Sequence, residues 1–292
     1  MKLIFFPLFI FCLIFSCSAS SPTKEEQMKE DPITGFFPTE HRPEKTIDCF
    51  PGAYYRKVVS SHDLWVGISA TVKLPQITFD TTRLRPDKPG QYMDNPSIYL
   101  GGNGDMQETD MGLTWEVIRD ENGEVTPDRR AYRPFCRRNP YGPTGQQGVW
   151  ESAPALPEYY FYPGDIVTMT FQLIADKILR LTIESKEKKF EKDIQCDGYR
   201  SGYPIQMKRV VAIDQVHNEG KPVQPTTARL TNTVWYNTHL LRDVKGEVIR
   251  VPMHTGRFTD MRCPEAKYIT VTTTAKEAKI GAETISIDGK IH

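Results

Sequence analysis

The clearest alternation of apolar and polar positions runs from Glu108 to Val117. Glu108, Asp110, Gly112, Thr114 and Glu116 fall on one side of an extended strand, and Thr109, Met111, Leu113, Trp115 and Val117 on the other. Successive strand side chains point to opposite faces. The pattern therefore predicts a half-buried strand with an acidic open side and Trp115 in the core. Residues 97–100 read as a short strand before it and residues 101–105, rich in glycine, as a turn. Asn122-Gly123 marks a hairpin turn after it, since both residues tolerate positive φ.

Two further segments repeat the alternation. In residues 62–72, Leu64, Val66, Ile68, Ala70 and Val72 oppose Asp63, Trp65, Gly67, Ser69 and Thr71, which puts Trp65 on the polar side. In residues 228–241, Ala228, Leu230, Val234, Tyr236 and Leu240 oppose Arg229, Thr231, Thr233, Trp235, Asn237 and His239. Residues 166–173 and 179–183 read as a strand pair joined by a turn at Asp176-Lys177, and the charged residues 186–194 as an exposed edge. Residues 207–213, 248–251 and 268–273 are shorter strands, and residues 276–292 are weakly patterned, closing an edge or fraying. Residues 126–141 read as a loop, unusually basic through Arg129, Arg130, Arg133, Arg137 and Arg138; these arginines would hold acidic sugars or pair with the chain's own carboxylates, and pairing is the preferred role. Sustained helical periodicity is absent. Short strands without helical crossovers predict an all-β, antiparallel two-sheet β-sandwich.

Length and composition refine this. Lys2 followed by the apolar run 3–15 reads as a signal peptide over residues 1–16, too short to span a bilayer comfortably. The run Leu13-Ile14-Phe15-Ser16-Cys17 resembles a bacterial lipobox with a bulky residue in place of the usual small or branched one. It makes Cys17 the expected lipidation site, with an ordinary secretory peptide as the alternative. Residues 17–45, polar and punctuated by proline, read as a flexible tether; residues 46–292 suffice for one sandwich. Lys and Arg together number 37, as do Asp and Glu, so no global field favours nucleic acid. Cys49, Cys136, Cys196 and Cys263 allow two disulfides in three connectivities, or free buried thiols, and their spacing resembles no zinc site. No phosphate loop, dinucleotide fingerprint, G-x-S-x-G elbow or H-E-x-x-H motif is present, and no cofactor or metal is expected. The turn at Gly101–Asp105 has too few oxygen ligands for a recognised calcium loop.

Two chemistries compete for the polar strand faces. Glu108 and Asp110, about 7 Å apart at Cα on one face, approach the about 5 to 5.5 Å carboxyl separation of retaining glycosidases. The stretch partly resembles the E-x-D-x-x-E strand of laminarinase-type glucanases, but Gly112 and Leu113 stand where the third acid belongs. A lyase would draw on His239 or Tyr236 with Arg229, yet alternation sends Tyr236 and His239 to opposite faces. Sugar binding asks for less: flat aromatic rings beside carboxylates and amides. Trp65 and Trp235 are the expected stacking platforms, with Asp63, Glu108, Asp110, Asn237 and His239 as hydrogen-bonding partners. Burial of both tryptophans under loops is the competing structural account.

Taken in order, Tyr99-Leu-Gly-Gly, Thr109-Asp-Met-Gly-Leu-Thr-Trp, Tyr132-Arg-Pro-Phe, Tyr162-Pro-Gly-Asp, Lys208-Arg-Val with Ile213-Asp-Gln, and Val223-Gln-Pro-Thr with Trp235 resemble the YrpD-like family of exported bacterial proteins. The likeness spans residues 54–241. It implies a concanavalin-like jelly roll and brings no activity or catalytic residues. The expectation is an exported, lipid-anchored envelope protein that binds a polysaccharide or oligosaccharide on a concave sheet face. A structural or protein-interaction lipoprotein and a glycoside hydrolase or polysaccharide lyase are the alternatives. As an enzyme, its candidates are Glu108, Asp110 and His239.

Overall fold

A computed structural model describes residues 35–120 and 122–290; the expected signal peptide, the expected lipidation site Cys17 and the first part of the expected tether lie outside the described residues. In chain order the strands are β1 (Ala53–Asp63), β2 (Trp65–Lys73), β3 (Gln76–Thr78), β4 (Asp94–Gly104), β5 (Gln107–Val117), β6 (Arg130–Arg138), β7 (Val149–Ser152) and β8 (Ile166–Ala175). They continue as β9 (Ile178–Glu184), β10 (Lys189–Gln195), β11 (Ile205–Gln215), β12 (Arg229–Val244), β13 (Glu247–Pro252), β14 (Phe258–Cys263), β15 (Ile269–Thr272) and β16 (Glu283–Asp288). The first sheet has the order β14-β1-β11-β4-β5-β6-β7; the second runs β10-β9-β8-β2-β12-β16-β15, with β13 and β3 also paired to β12. The pairings are antiparallel throughout. The chain is therefore an all-β, antiparallel two-sheet sandwich, as its alternation predicts.

The core lies between the inner faces. Ile98, Leu100, Met111, Leu113, Val211 and Ile213 from the first sheet meet Ile68, Val72, Met169, Phe171, Leu181 and Leu240 from the second. The predicted β5 faces are kept, with Met111 and Leu113 buried inside and Glu108 and Asp110 on the outer side. The pair β8–β9 and the edge strand β10 also form where expected.

Several expectations are corrected. The glycines at 101–104 belong to β4, and the turn is Asp105-Met106, both at positive φ. A Cβ on Gly101 would lie 2.1 Å from the Thr109 carbonyl oxygen and 2.9 Å from the Lys208 side chain, so glycine here admits close strand approach rather than a turn. The basic stretch is strand β6, not loop: Tyr132, Pro134 and Cys136 face the core while Arg133, Phe135 and Arg137 alternate outward. The described part of the C-terminal tail does not fray. It supplies β16, an inner strand of the second sheet whose Glu283 is buried. Residues 35–45 are not a free tether: Phe37 stands edge-on to Trp65 at 6.0 Å, and Glu40 accepts from Arg257 Nε at 2.7 Å.

Register shifts overturn the placement of both candidate tryptophans. β12 carries one extra residue between Leu230 and Thr233, where Asn232 has φ 60°, and another between Trp235 and Asn237. Each bulge reverses the in–out order that follows it. Trp235 consequently points into the core, and Tyr236 points out. A third shift, between Leu241 and Arg242, turns Trp65 inward as well. Of the four cysteines, Cys49 and Cys263 form a disulfide, while Cys136 and Cys196 are buried thiols, pushed up to about 12 by burial.

Candidate binding cleft

The outer face of the first sheet carries the polar and aromatic side chains that could act together. Its register sets Lys208, Gly101, Asp110 and Arg137 side by side across β11, β4, β5 and β6. The next row is Val210, Tyr99, Gly112 and Phe135, and the one after it Ala212, Ser97, Thr114 and Arg133. Gly112 matters to the middle row. A Cβ there would lie 2.6 Å from Tyr99 Cβ; without it, the Tyr99 ring meets Phe135 edge-on at 5.9 Å.

Two adjoining hollows of ≈ 330 and ≈ 390 Å³ open over this face, within the lower part of the usual range for ligand sites. One wall is built from residues 50–53 and the loop after β11, tied together where Gly220 N–H donates to the Pro51 carbonyl at 3.1 Å and Gln215 N–H to Gly52 at 3.0 Å. Phe50 stands on this wall, 56% exposed. Across the face, Trp150 of β7 lies flat on Phe135, ring centres 4.7 Å apart and planes 9° from parallel, and is 55% exposed. Open aromatic surfaces thus flank a charged floor.

The floor's charges are arranged in pairs. The Lys208 ammonium, almost wholly buried, contacts Asp110 at 2.6 Å and also Glu108. Arg137 donates to Asp110 at 3.1 Å and to Glu219 at 3.3 Å, and Arg133 pairs with Glu116. The preferred role for the basic stretch, internal pairing, holds for these two arginines. Burial would raise the Glu108 carboxyl, but the Lys208 ammonium, with Lys57 and Arg137 behind it, outweighs that and holds it below the usual range. Asp214 is different. Its hydrogen-bond partner is the Ser97 hydroxyl, and burial pushes its carboxyl up to about 6, with the Asp110 charge adding to the rise against Ser97 and Arg137.

This difference sets a pH dependence. The folded value for Asp214 lies above its ordinary 3.8, so folding favours its protonated form. That contribution is full below about pH 4 and is lost as pH rises through about 6. Asp214→Asn has no charge to bury. Its stability relative to wild type is expected to climb between these two limits and then level off, read from urea midpoints of both proteins across pH. Parallel profiles would show that Asp214 ionises normally.

The predicted site residues do not converge. Glu108 and Asp110 are in the cleft. Trp65 and Trp235, both 0% exposed, are core residues and cannot serve as platforms. The Trp65 indole N–H donates to the Ser61 carbonyl at 3.0 Å, and Trp235 lies under the Arg209 guanidinium at 4.8 Å. Asp63 is buried in an ion pair with Arg242 and accepts from Thr39 at 2.7 Å. Asn237 and His239, half-buried, belong to the second sheet. His239 Nδ1 lies 3.4 Å from Arg250, and burial, with the Arg250 charge, pushes it down to about 4. It cannot act with Glu108 and Asp110 from the other sheet. Asp105 is bonded by Tyr141 and by Arg200 at 3.0 Å.

The sequence reading missed Trp150, Phe135, Tyr99, Lys208 and Asp214 as site residues and put Arg137 on a loop. A signal existed for two of them: Phe135 and Arg137 alternate with Pro134 and Cys136 once residues 130–138 are read as a strand. Lys208 and Asp214 sit on a face shared with Val210 and Ala212, so both sides of β11 look apolar.

No family model and no curated protein matches the chain. Solved structures with a similar arrangement include Scytalido-glutamic peptidase with a peptide-based transition state analog, at TM-score 0.48 and 12% identity over 81% of this chain and 98% of that one. The alginate lyase from Klebsiella pneumoniae matches at TM-score 0.34 and 14% identity over 57% and 54% of the respective chains. The laminarinase catalytic domain from Thermotoga maritima matches at 0.29 and 11% over 72% and 79%. These likenesses are of sandwich architecture at low identity and say nothing of this chain's chemistry.

Proposed function

We propose that the cleft on the first sheet binds carbohydrate, holding a stretch of polysaccharide across the strands, in an exported protein anchored through lipidated Cys17. The observation that carries this reading is Trp150: an indole more than half exposed, held flat on Phe135 at the edge of a charged cleft. A large rigid ring in that posture offers its face to the C–H side of a sugar. Tyr99, Asn95, Thr114, Asp110 and Arg137 line the same hollow and supply groups for a hydroxyl rim. Phe50 on the far wall gives a second apolar contact. The site thus keeps the sugar-binding role while moving it from Trp65 and Trp235 to Trp150.

Binding suits the floor better than hydrolysis does. A retaining pair needs one protonated carboxyl, whereas Glu108 and Asp110 share the Lys208 ammonium, and Glu108 is held in its ionised form.

A polysaccharide-retardation screen, with reducing-end and unsaturated-product assays on each hit, tests the reading. Retardation without product is expected. Product release would overturn the binding-only reading, and absence of retardation across neutral and acidic polysaccharides would overturn glycan recognition. For the anchor, Cys17→Ala should shift the protein from membrane to soluble fraction; unchanged partitioning would refute lipidation.

A further inference from the structure

Arg137 links the floor of the cleft to its wall. One end of its guanidinium meets Asp110 on the neighbouring strand, a carboxylate 8% exposed. The other end meets Glu219, on the loop after β11 and 70% exposed. Arg137 and Glu219 line both hollows, so their ion pair stands where the two meet. A ligand long enough to occupy both must part it.

The two contacts differ in kind. The one to Asp110 is short, sheltered and fixed by register, with Asp110 directly opposite Arg137. The one to Glu219 is longer and largely open to water, and exposed ion pairs contribute little to stability. Parting it is therefore cheap, provided that Arg137 receives another anion. A neutral sugar would leave that end of the guanidinium without its carboxylate. A sugar bearing a carboxylate would replace Glu219 by a group of the same shape and charge, and a guanidinium fork matches a carboxylate through paired N–H donors.

Resting on the carbohydrate reading, we infer that the cleft selects acidic, uronate-type sugars, the sugar carboxylate taking the place of Glu219 on Arg137. Glu219 competes with the ligand for Arg137. Discrimination comes from Arg137, which an acidic sugar satisfies and an esterified one does not.

The test uses matched pairs of oligomers, each as free acid and as methyl ester, built on galacturonate, mannuronate and glucuronate. Binding is measured by titration calorimetry to wild type, Glu219→Gln and Arg137→Gln, with urea midpoints confirming folding. In at least one pair the acid should bind about tenfold or more tightly than its ester, and added salt should narrow the gap. Glu219→Gln should strengthen acid binding several-fold, and more than it strengthens ester binding, an opposite sign to that of a merely structural loop residue. Arg137→Gln should erase the preference for acid. Equal or tighter binding of the ester, or weaker acid binding by Glu219→Gln, overturns the inference. Neutral glycans bound through Trp150 with every acid rejected would also overturn it, while leaving the carbohydrate reading intact. Rejection of acidic and neutral glycans alike would overturn both.

Discussion

Replacing Glu283 by Gln is expected to lower the stability of the protein by about 3–5 kcal/mol, the usual cost of removing one partner from a buried ion pair. Glu283 reaches in from β16 of the second sheet to two arginines of the first, Arg56 on β1 at 2.9 Å and Arg209 on β11. All three side chains are almost fully buried. Arg209 also donates to the Gly281 carbonyl at 2.8 Å, and burial, partly offset by Glu283, pushes it down to about 10. Without the carboxylate, two guanidiniums face each other inside the sandwich. Arg56 keeps Asp260 at 2.8 Å, but Arg209 loses its only nearby anion among its described partners. The urea midpoint at neutral pH measures this directly. A loss below about 1 kcal/mol would show that water or a side-chain shift rescues Arg209. Replacing all three residues with well-packed apolar ones should recover much of the loss.

The same ion triad shows why only part of the fold was legible. Strand β5 announces itself because one face is apolar and the other charged, so a period of two stands out. Strands β8, β9 and β10 behave alike. Glu283 and Arg209, by contrast, are charges that point inward, and a pattern of apolar-in and polar-out misassigns them by construction. Arg133 and Arg137 made β6 look like a solvated loop because the acids that neutralise them lie on β5 and in the loop after β11, far along the chain. Bulges at Asn232 and Tyr236 reverse the faces of β12 midway, and nothing in the residue types around them announces an extra residue.

The candidate site was half legible for a related reason. Glu108 and Asp110 were found because they stand on the clearest strand. Their partners Lys208 and Arg137, the acid Asp214 and the platform Trp150 come from three other strands, assembled only by the register of the first sheet. Trp150 belongs to a four-residue edge strand inside a stretch rich in proline and glycine, where no alternation marks a strand. Trp65 and Trp235 attracted attention because each alternates with apolar residues. That logic fails wherever a bulge intervenes.

The two classes of tryptophan make opposite predictions. Trp65 packs in the core against Phe37 and the arginines Arg242 and Arg257. Trp65→Ala should therefore cost about 3–5 kcal/mol of stability and leave glycan affinity unchanged wherever the protein is folded. Trp150 rests on Phe135 at the surface, and removing it uncovers one ring face without opening a cavity. Trp150→Ala should shift stability by no more than about 1 kcal/mol. A central aromatic contact in a binding site is commonly worth about 2 kcal/mol or more, so its loss should weaken binding by about thirtyfold to a hundredfold.

The most direct test of the cleft is titration calorimetry of the best-retained polysaccharide fragment against wild type and Trp150→Ala, at a temperature where urea melts show both fully folded. The cleft predicts affinity lost by the factor above with the urea midpoint nearly unchanged. Equal affinity in the two proteins would contradict it, and would place any glycan contact somewhere other than the face carrying Trp150, Asp110 and Arg137.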